Sequence, residues 1–257
     1  MNNTICNTPA PTRRQRMTSG LMLCALALLM PGLAGAAGWE IDPVRVELIP
    51  GHQTAAITIK NASDLATSIQ IQTVTWSQTD GKDVYAPTKD VLVSPPIVTI
   101  PANGEQVIRV ALRRPADTLS ELSYRINLQE VIPQPATGFS GVQVALRIGL
   151  PVFVQSKAGD AAPKLVWKLQ RMSGNTLKVA LENKGNAHIQ IADFALYAPG
   201  SSQALASEAS SSYVLAGQGH EWLLKTSGME SLSGDHLLIK GFTDGDNLDT
   251  ELVLDKP

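Results

Sequence analysis

The stretch SGVQVALRIGLPVFVQ, residues 140–155, alternates between apolar side chains and polar or small ones. Its apolar members at every second position, which we call the apolar row, are Val142, Val144, Leu146 and Ile148. Alternation of this kind predicts a β-strand with one apolar face. That face either packs on the core of the same protein or stays available to a partner outside the chain, and periodicity alone favours neither.

The first 36 residues have the pattern of an export signal. Arginines at positions 13, 14 and 16 precede an apolar run at 21–30, and small residues at 34–36 fit a cleavage site. The apolar run is too short to span a bilayer as a helix. We therefore predict a signal peptide over residues 1–36, a mature protein in the bacterial periplasm, and no membrane insertion after cleavage.

The composition excludes several classes of protein. The formal net charge of the 257 residues is −2, which argues against a basic protein that binds nucleic acid. Both cysteines, Cys6 and Cys24, lie in the predicted leader. The mature chain therefore has no disulfide and no thiolate site, and its stability must come from burial and sheet pairing.

Short alternating segments recur along the mature chain, with turn residues between them. The first half holds seven or eight of them at spacings of roughly 10–15 residues, a pattern typical of a β-sandwich. Residues 156–163 are small, polar and end in proline, and the alternation restarts after them. We predict an all-β protein with an N-terminal domain over 37–155, a linker over 156–163 and a C-terminal domain over 164–257.

One of these segments changes its apolar face part-way along. In TSIQIQTVTW, Ile69 and Ile71 share one face, whereas Val74 and Trp76 lie on the opposite one. A change of phase within a strand predicts a β-bulge or a strand that switches sheets.

Signatures of catalysis and of metal binding are absent from the sequence. The four histidines lie beside turns or strand ends and are interpreted as surface residues. The motifs of serine hydrolases, phosphate loops and zinc proteases do not occur. Asp244, Asp246 and Asp249 resemble a calcium loop only loosely, because its glycine and terminal acidic ligand are misplaced. We therefore expect no enzyme activity, no metal and no cofactor.

Six segments, in their order and spacing, resemble the periplasmic pilus-assembly chaperones of the chaperone–usher pathway. They are VRVEL, IKNAS, TVTW, SPPIVTIPANGEQVIRV, SYRINLQEV and GVQVALRIGLPVFV. The resemblance covers nearly all of the mature chain and implies two immunoglobulin-like sandwiches at an angle, with a cleft between them. Such a chaperone holds a newly exported pilus subunit, whose own sandwich lacks a strand, and delivers it to an outer-membrane usher.

The resemblance implies that the stretch quoted first is the strand donated to the subunit. The apolar row would then fill the pockets of the incomplete subunit, while main-chain hydrogen bonds pair with the edges of its groove. Gly149 and Pro151 would mark the point where regular pairing loosens.

The resemblance also implies a basic pair that grips the C-terminal carboxylate of the subunit. Arg45 matches the cleft arginine of the family, and a guanidinium can bind a carboxylate through two charge-assisted bonds. Pro151, however, stands where the best-known members carry lysine, and the sequence does not decide whether Arg147 or Arg125 replaces it. This departure resembles the alternative or archaic branches of the family. Glu130 matches an acidic position that helps to hold the two domains at their angle in relatives.

Two other classes of protein use similar sandwiches. A structural pilus subunit or adhesin would need an incomplete domain and a free N-terminal donor segment, whereas the first domain here has all its strands. A carbohydrate-binding module would need exposed aromatic residues, whereas the tryptophans lie mostly on apolar faces and are expected in cores. The sequence leaves open whether the free protein caps its own strand as a homodimer.

Overall fold

A computed structural model describes residues 38–133, 140–158, 161–227 and 234–255 of the chain. They belong to one compact unit, Gly38–Pro257, and form β-strands joined by turns and loops. None of the described residues belongs to a helix long and apolar enough to cross a membrane. The predicted signal peptide, residues 1–36, lies outside the described residues.

The first ten strands form a sandwich of two sheets. They are β1 (Trp39–Asp42), β2 (Val46–Leu48), β3 (Thr54–Asn61), β4 (Thr67–Thr79), β5 (Lys82–Pro87), β6 (Val91–Ser94), β7 (Ile97–Ile100), β8 (Glu105–Leu112), β9 (Leu122–Glu130) and β10 (Arg147–Val154). One sheet has the order β1-β3-β8-β6, and the other has the order β2-β10-β9-β4-β5, with β7 on β4. A single hydrophobic cluster fills the space between them.

The last eight strands enclose a second hydrophobic cluster. They are β11 (Leu165–Met172), β12 (Thr176–Asn183), β13 (Ile189–Tyr197), β14 (Ala204–Glu208), β15 (Ser212–Val214), β16 (Gly219–Lys225), β17 (His236–Thr243) and β18 (Asn247–Asp255). The sheet runs β14-β13-β17-β18-β11-β12-β16, with β15 on β13, and wraps around one core. The all-β prediction with two sandwiches is confirmed, whereas the exact domain and linker boundaries stay predictions.

Strand β10 is shorter than the sequence predicts. It begins at Arg147, and residues 142–146 precede it without belonging to a strand. The expectation that pairing loosens at Gly149 and Pro151 is wrong, because β10 pairs continuously with β9 from Arg147 to Val154.

The alternation along this stretch therefore covers two environments. Val142 and Val144 are 88% and 81% exposed. Leu150, Val152 and Val154, which continue the same alternation, are buried in the first core. Between the two groups, Leu146 is half-buried and Ile148 packs against the edge of that core.

The predicted bulge in β4 is also wrong. β4 pairs with β9 and β5 without a shift in register through residues 69–79. Ile69 and Ile71 face the first core, whereas Trp76 is buried on the opposite face against Phe153 and Leu215. The apolar face changes because the second sandwich covers the outer side of this part of the sheet.

The two environments of the quoted stretch predict different costs for the same substitution. Val152→Ala removes two buried methyl groups and should lower the free energy of unfolding by about 2 kcal/mol. Val144→Ala should change it by less than about 0.5 kcal/mol, because the side chain is exposed. Urea denaturation of both variants measures the difference, and equal losses would contradict this division of the stretch.

Candidate functional site

The sheet that contains β10 has an outer face, which points away from the first core. Residues directly opposite each other on neighbouring strands place their side chains on the same face. One row across this outer face contains Val74, Arg125 and Pro151 on β4, β9 and β10. Two residues further along the strands, the same face has Tyr85 opposite Trp76 and Ser123 opposite Phe153. The outer face therefore places Pro151 directly beside Arg125.

The second sandwich covers part of this outer face through an aromatic cluster. Trp76 lies 5.8 Å from Phe153 and 5.4 Å from Tyr213 between ring centroids. Leu215 completes the buried group. Because Tyr213 and Leu215 belong to the second sandwich, this cluster joins the two sandwiches next to Arg125 and Pro151.

A second set of contacts between the sandwiches centres on His188. Its ring stacks on Phe153 with 3.4 Å between centroids and 7° between planes. His188 Nδ1 lies 2.7 Å from Glu121 Oε1, and its Nε2 lies 3.7 Å from Asp244 Oδ2. The interpretation of His188 as a surface residue is therefore wrong, since Phe153 and two carboxylates surround it.

Arg45 links β2 to the second sandwich. Its Nη1 donates a hydrogen bond of 2.7 Å to Asp244 Oδ2, and its Nε lies 3.0 Å from Glu47 Oε1. Partial burial lowers the pKa of Arg45, but the hydrogen bond to Asp244 and the charges of both carboxylates outweigh this effect and raise it. Arg45 is therefore charged and held at the junction of the sandwiches, with about a third of its side chain exposed.

Arg125 is held mainly by aromatic rings. Its guanidinium carbon lies 4.2 Å from the centroid of Trp76 and 5.5 Å from that of Tyr85, within the range of cation–π attraction. The nearest atoms of its ion pair with Asp83 are 3.9 Å apart, too far for a hydrogen bond. Among the described residues, its buried Nε has no hydrogen-bond partner. Arg125 is thus positioned by its neighbours but retains unused donor capacity.

The groups that face Arg125 have fixed protonation states near neutral pH. Burial raises the pKa of Asp83, but hydrogen bonds, the strongest from Gln78, and the charge of Arg125 outweigh it, so the pKa is lowered. Burial and the hydrogen bond to Asp83 raise the pKa of Tyr85 to about 12. Asp83 is therefore an anion, and the Tyr85 hydroxyl donates to it over 2.7 Å.

Gly149 provides space for the Arg125 side chain. A Cβ atom built on Gly149 would lie 3.4 Å from Arg125 Nη1, so the guanidinium extends over this position of β10. Arg147 lies on the same face but four residues before Pro151, roughly 13 Å along the strand. It is exposed and forms no ion pair within the described part of the chain. Of the two candidates, Arg125 occupies the space beside Pro151.

Within the described chain, hydrogen bonds hold the segment before β10 at Leu146. Leu146 exchanges two hydrogen bonds of 2.9 Å with Glu130: its carbonyl accepts from the Glu130 backbone, and its amide donates to the Glu130 carboxylate. Glu130 also accepts a hydrogen bond from Thr67. These contacts lie within the first sandwich, so Glu130 fixes the start of β10 and the expectation that it sets the domain angle is wrong.

The edge of β10 beside this segment is open. On the side away from β9, β10 pairs with β2 only from Val152 to Val154. In the described structure, residues 147–151 have no strand partner on that side. An exposed apolar row therefore leads into a strand edge with free backbone groups.

Comparisons with known proteins identify the family. The model of the "Pili and flagellar-assembly chaperone, PapD N-terminal domain" family matches residues 38–159. The "Probable fimbrial chaperone EcpB" of Klebsiella pneumoniae is 30% identical over 178 residues, covering 66% of this chain and 74% of that protein. The chain belongs to this family of pilus-assembly chaperones. The family is one of non-enzymatic chaperones, and the role of this chain is that of an assembly chaperone rather than of a structural pilus subunit.

Solved structures agree on the fold of the chaperone. A chain of the chaperone–tip adhesion subunit complex CsuC–CsuE, from archaic Csu pili of Acinetobacter baumannii, matches with a TM-score of 0.63 and 19% identity, covering 86% of this chain and 100% of that one. The Pseudomonas aeruginosa CupB2 chaperone matches with a TM-score of 0.56 and 18% identity, over 84% and 100% of the two chains. At these identities the likeness concerns the fold, two immunoglobulin-like domains.

The site combines residues that the sequence indicated with residues that it did not. Arg45 and Arg125 both lie where the two sandwiches meet, whereas Arg147 and the apolar row lie away from that junction at the start of β10. The residues missed are Gln78, Glu121, Phe153, His188, Tyr213 and Asp244. The sequence contained a signal for one of them, Phe153. This aromatic residue lies between Val152 and Val154, so alternation places its side chain on the face opposite to theirs.

Proposed function

We propose that the chaperone stabilises a pilus subunit by adding the apolar row, Val142 to Ile148, as a strand to the incomplete sandwich of that subunit. The observation that carries the proposal is the exposure of Val142 and Val144, at 88% and 81%, beside a strand whose continuation is locked into the first core. These two exposed valines have no packing partner within the described chain. A groove that lacks a strand supplies one.

Burial of the row would provide much of the binding energy. Each aliphatic side chain that becomes fully buried contributes about 1.5–3 kcal/mol. The two exposed valines therefore supply about 3–6 kcal/mol before the cost of ordering the segment, and the half-buried Leu146 and Ile148 add less. Since residues 142–145 lie outside any strand of the free chaperone, part of that energy is used to extend β10 toward Val142.

The open edge of β10 would provide the main-chain bonds. Residues 147–151 keep their pairing with β9 on one side, so a subunit strand can add on the other without opening the first sandwich. Added pairing satisfies backbone groups of both partners and removes two edges that favour aggregation.

Arg45 and Arg125 are proposed as the pair that holds the C-terminal carboxylate of the subunit. Arg125 has about a quarter of its side chain exposed, forms only a 3.9 Å ion pair with Asp83 among the described residues, and lies directly opposite Pro151, where the best-studied members carry lysine. Arg45 has donors beyond those that face Asp244 and Glu47, because a guanidinium carries five. Arg147 would lie beside the inserted row rather than at the carboxylate.

The partners and the location of the chaperone are inferred from its family. The relatives include chaperones solved together with a tip adhesion subunit and with a pilin, and we infer that this chaperone also binds pilus subunits. Its location in the periplasm and its delivery of subunits to an outer-membrane usher stay predictions. So does a self-capping homodimer, in which a second copy of the chain would pair with the same open edge of β10.

Co-expression with subunits encoded beside the chaperone, followed by pull-down from the periplasm, tests strand donation. Val144→Asp should abolish recovery of the subunit, because a carboxylate would enter an apolar pocket, while the chaperone stays folded and soluble. The matched control is Val253→Asp, which changes a half-exposed valine on β18 of the second sandwich and should leave recovery unchanged. Full recovery with Val144→Asp would contradict the proposal.

A second measurement tests the arginine pair. Affinity is compared for a subunit with its native C-terminus and for the same subunit extended by two glycines, which moves the carboxylate. The native form should bind about tenfold or more tightly, since a hydrogen bond to a charged group contributes about 1.5–3 kcal/mol.

Arg45→Ala and Arg125→Ala should each remove most of this preference, and Arg147→Ala is the matched control that should keep it. A preference unchanged in both test variants would exclude the proposed anchor.

A further inference from the structure

Gln78 connects the two sandwiches through a single side chain. It is only 6% exposed. Its Nε2 donates to the Tyr213 carbonyl over 2.8 Å, and its Oε1 accepts from the Leu215 amide over 3.0 Å. Nε2 also donates to Asp83 Oδ1 over 3.0 Å. The amide therefore bonds to the backbone of the second sandwich on one side and to a carboxylate beside Arg125 on the other.

The backbone that Gln78 contacts is itself fixed. We call residues 213–215 the bridging segment. Tyr213 pairs with Gln190 of β13, and Asn183 Nδ2 donates to the carbonyls of Val214 and Leu215 over 3.2 and 3.3 Å. The second sandwich thus fixes the backbone of the bridging segment. Because Gln78 is bonded to that backbone, the orientation of its side chain depends on where the second sandwich lies.

Asp83, in contrast, is oriented by two hydrogen bonds, one from Gln78 and one from Tyr85. It lies on β5, the edge strand of its sheet, where β4 is its one ladder partner among the described strands. Its Oδ1 accepts from Gln78, and its Oδ2 accepts from Tyr85 and lies 3.9 Å from Arg125 Nη2. Arginine and carboxylate groups that are free to approach form bonds of about 2.7–2.9 Å. The longer separation here indicates that Asp83 is held back from Arg125.

We propose that Gln78 is a positioning residue for the carboxylate of the subunit: it holds Asp83 away from Arg125 and so keeps the guanidinium donors free for that ligand. The inference rests on the proposed function, because it assumes that Arg125 takes part in the anchor. It adds that the second sandwich, through the bridging segment, controls whether the anchor is available.

Gln78→Met tests the inference, since methionine has a similar length and no amide. Asp83 then loses the bond that holds Oδ1 away from Arg125 and keeps only that of Tyr85, so its carboxylate can turn toward the guanidinium. The preference of the chaperone for the native over the glycine-extended subunit should fall from about tenfold toward unity, because the ligand now competes with an internal carboxylate.

The decisive comparison is the double variant Gln78→Met/Asp83→Asn. Removing the charge of Asp83 removes the competitor, so the double variant should recover most of the preference. A residue that merely stabilised the interface would give no recovery. Gln78→Glu, which retains the acceptor for the Leu215 amide, serves as a second single variant and should also lose the preference, because the new carboxylate cannot donate to Asp83.

The outcomes separate the two proposals. A parent chaperone with no preference for the native C-terminus would overturn both the arginine anchor and the role of Gln78. A parent with the preference and a Gln78→Met variant that keeps it would overturn the role of Gln78 alone. If the single variants lose the preference for the native C-terminus and the double variant does not recover it, Gln78 does not act through Asp83. That result would also overturn the inference.

Discussion

The antiparallel ladder between β9 and β10 supports both candidate binding features of the chaperone. It fixes the register in which Leu150, Val152 and Val154 enter the first core, whereas Val142 and Val144 before Arg147 are exposed. The same register places Pro151 opposite Arg125 on the other face. Because side chains alternate between the faces of a strand, one ladder sets both the position of the apolar row and that of the arginine beside the aromatic cluster.

The two arginines differ in how they are held, and the difference has consequences for binding. Arg45 is bonded to Asp244 of the second sandwich, so its position depends directly on how the sandwiches contact each other. Arg125 contacts the same sandwich indirectly, because it lies over Trp76, whose ring packs against Tyr213. The affinity for a ligand that binds both arginines would therefore depend on how the two sandwiches contact each other. The residues that join the sandwiches lie next to the candidate anchor.

The sequence predicted the all-β fold, the two sandwiches and the family, because alternation and turn residues are local signals that survive in a single chain. The sequence did not predict that one alternating stretch would be exposed to solvent at one end and buried in the core at the other. The alternation from Val142 to Val154 looks uniform, yet its two ends meet solvent and core. The phase change at Trp76 suggested a bulge, although the second sandwich simply covers the outer face there. His188 and Gln78 had no local signal, since their partners are distant in sequence and are brought together only by the contact between the sandwiches.

Disulfide trapping tests the central claim most directly, because the chain has no cysteine after Cys24. Val144→Cys in the chaperone is combined with single cysteines along the groove of the subunit, and the covalent product is measured from the oxidising periplasm. We expect a one-to-one linked product at one groove position, and none with Val152→Cys, whose side chain is fully buried. A complex that forms normally but is never trapped through Val144→Cys, or is trapped through Val152→Cys instead, would contradict the account.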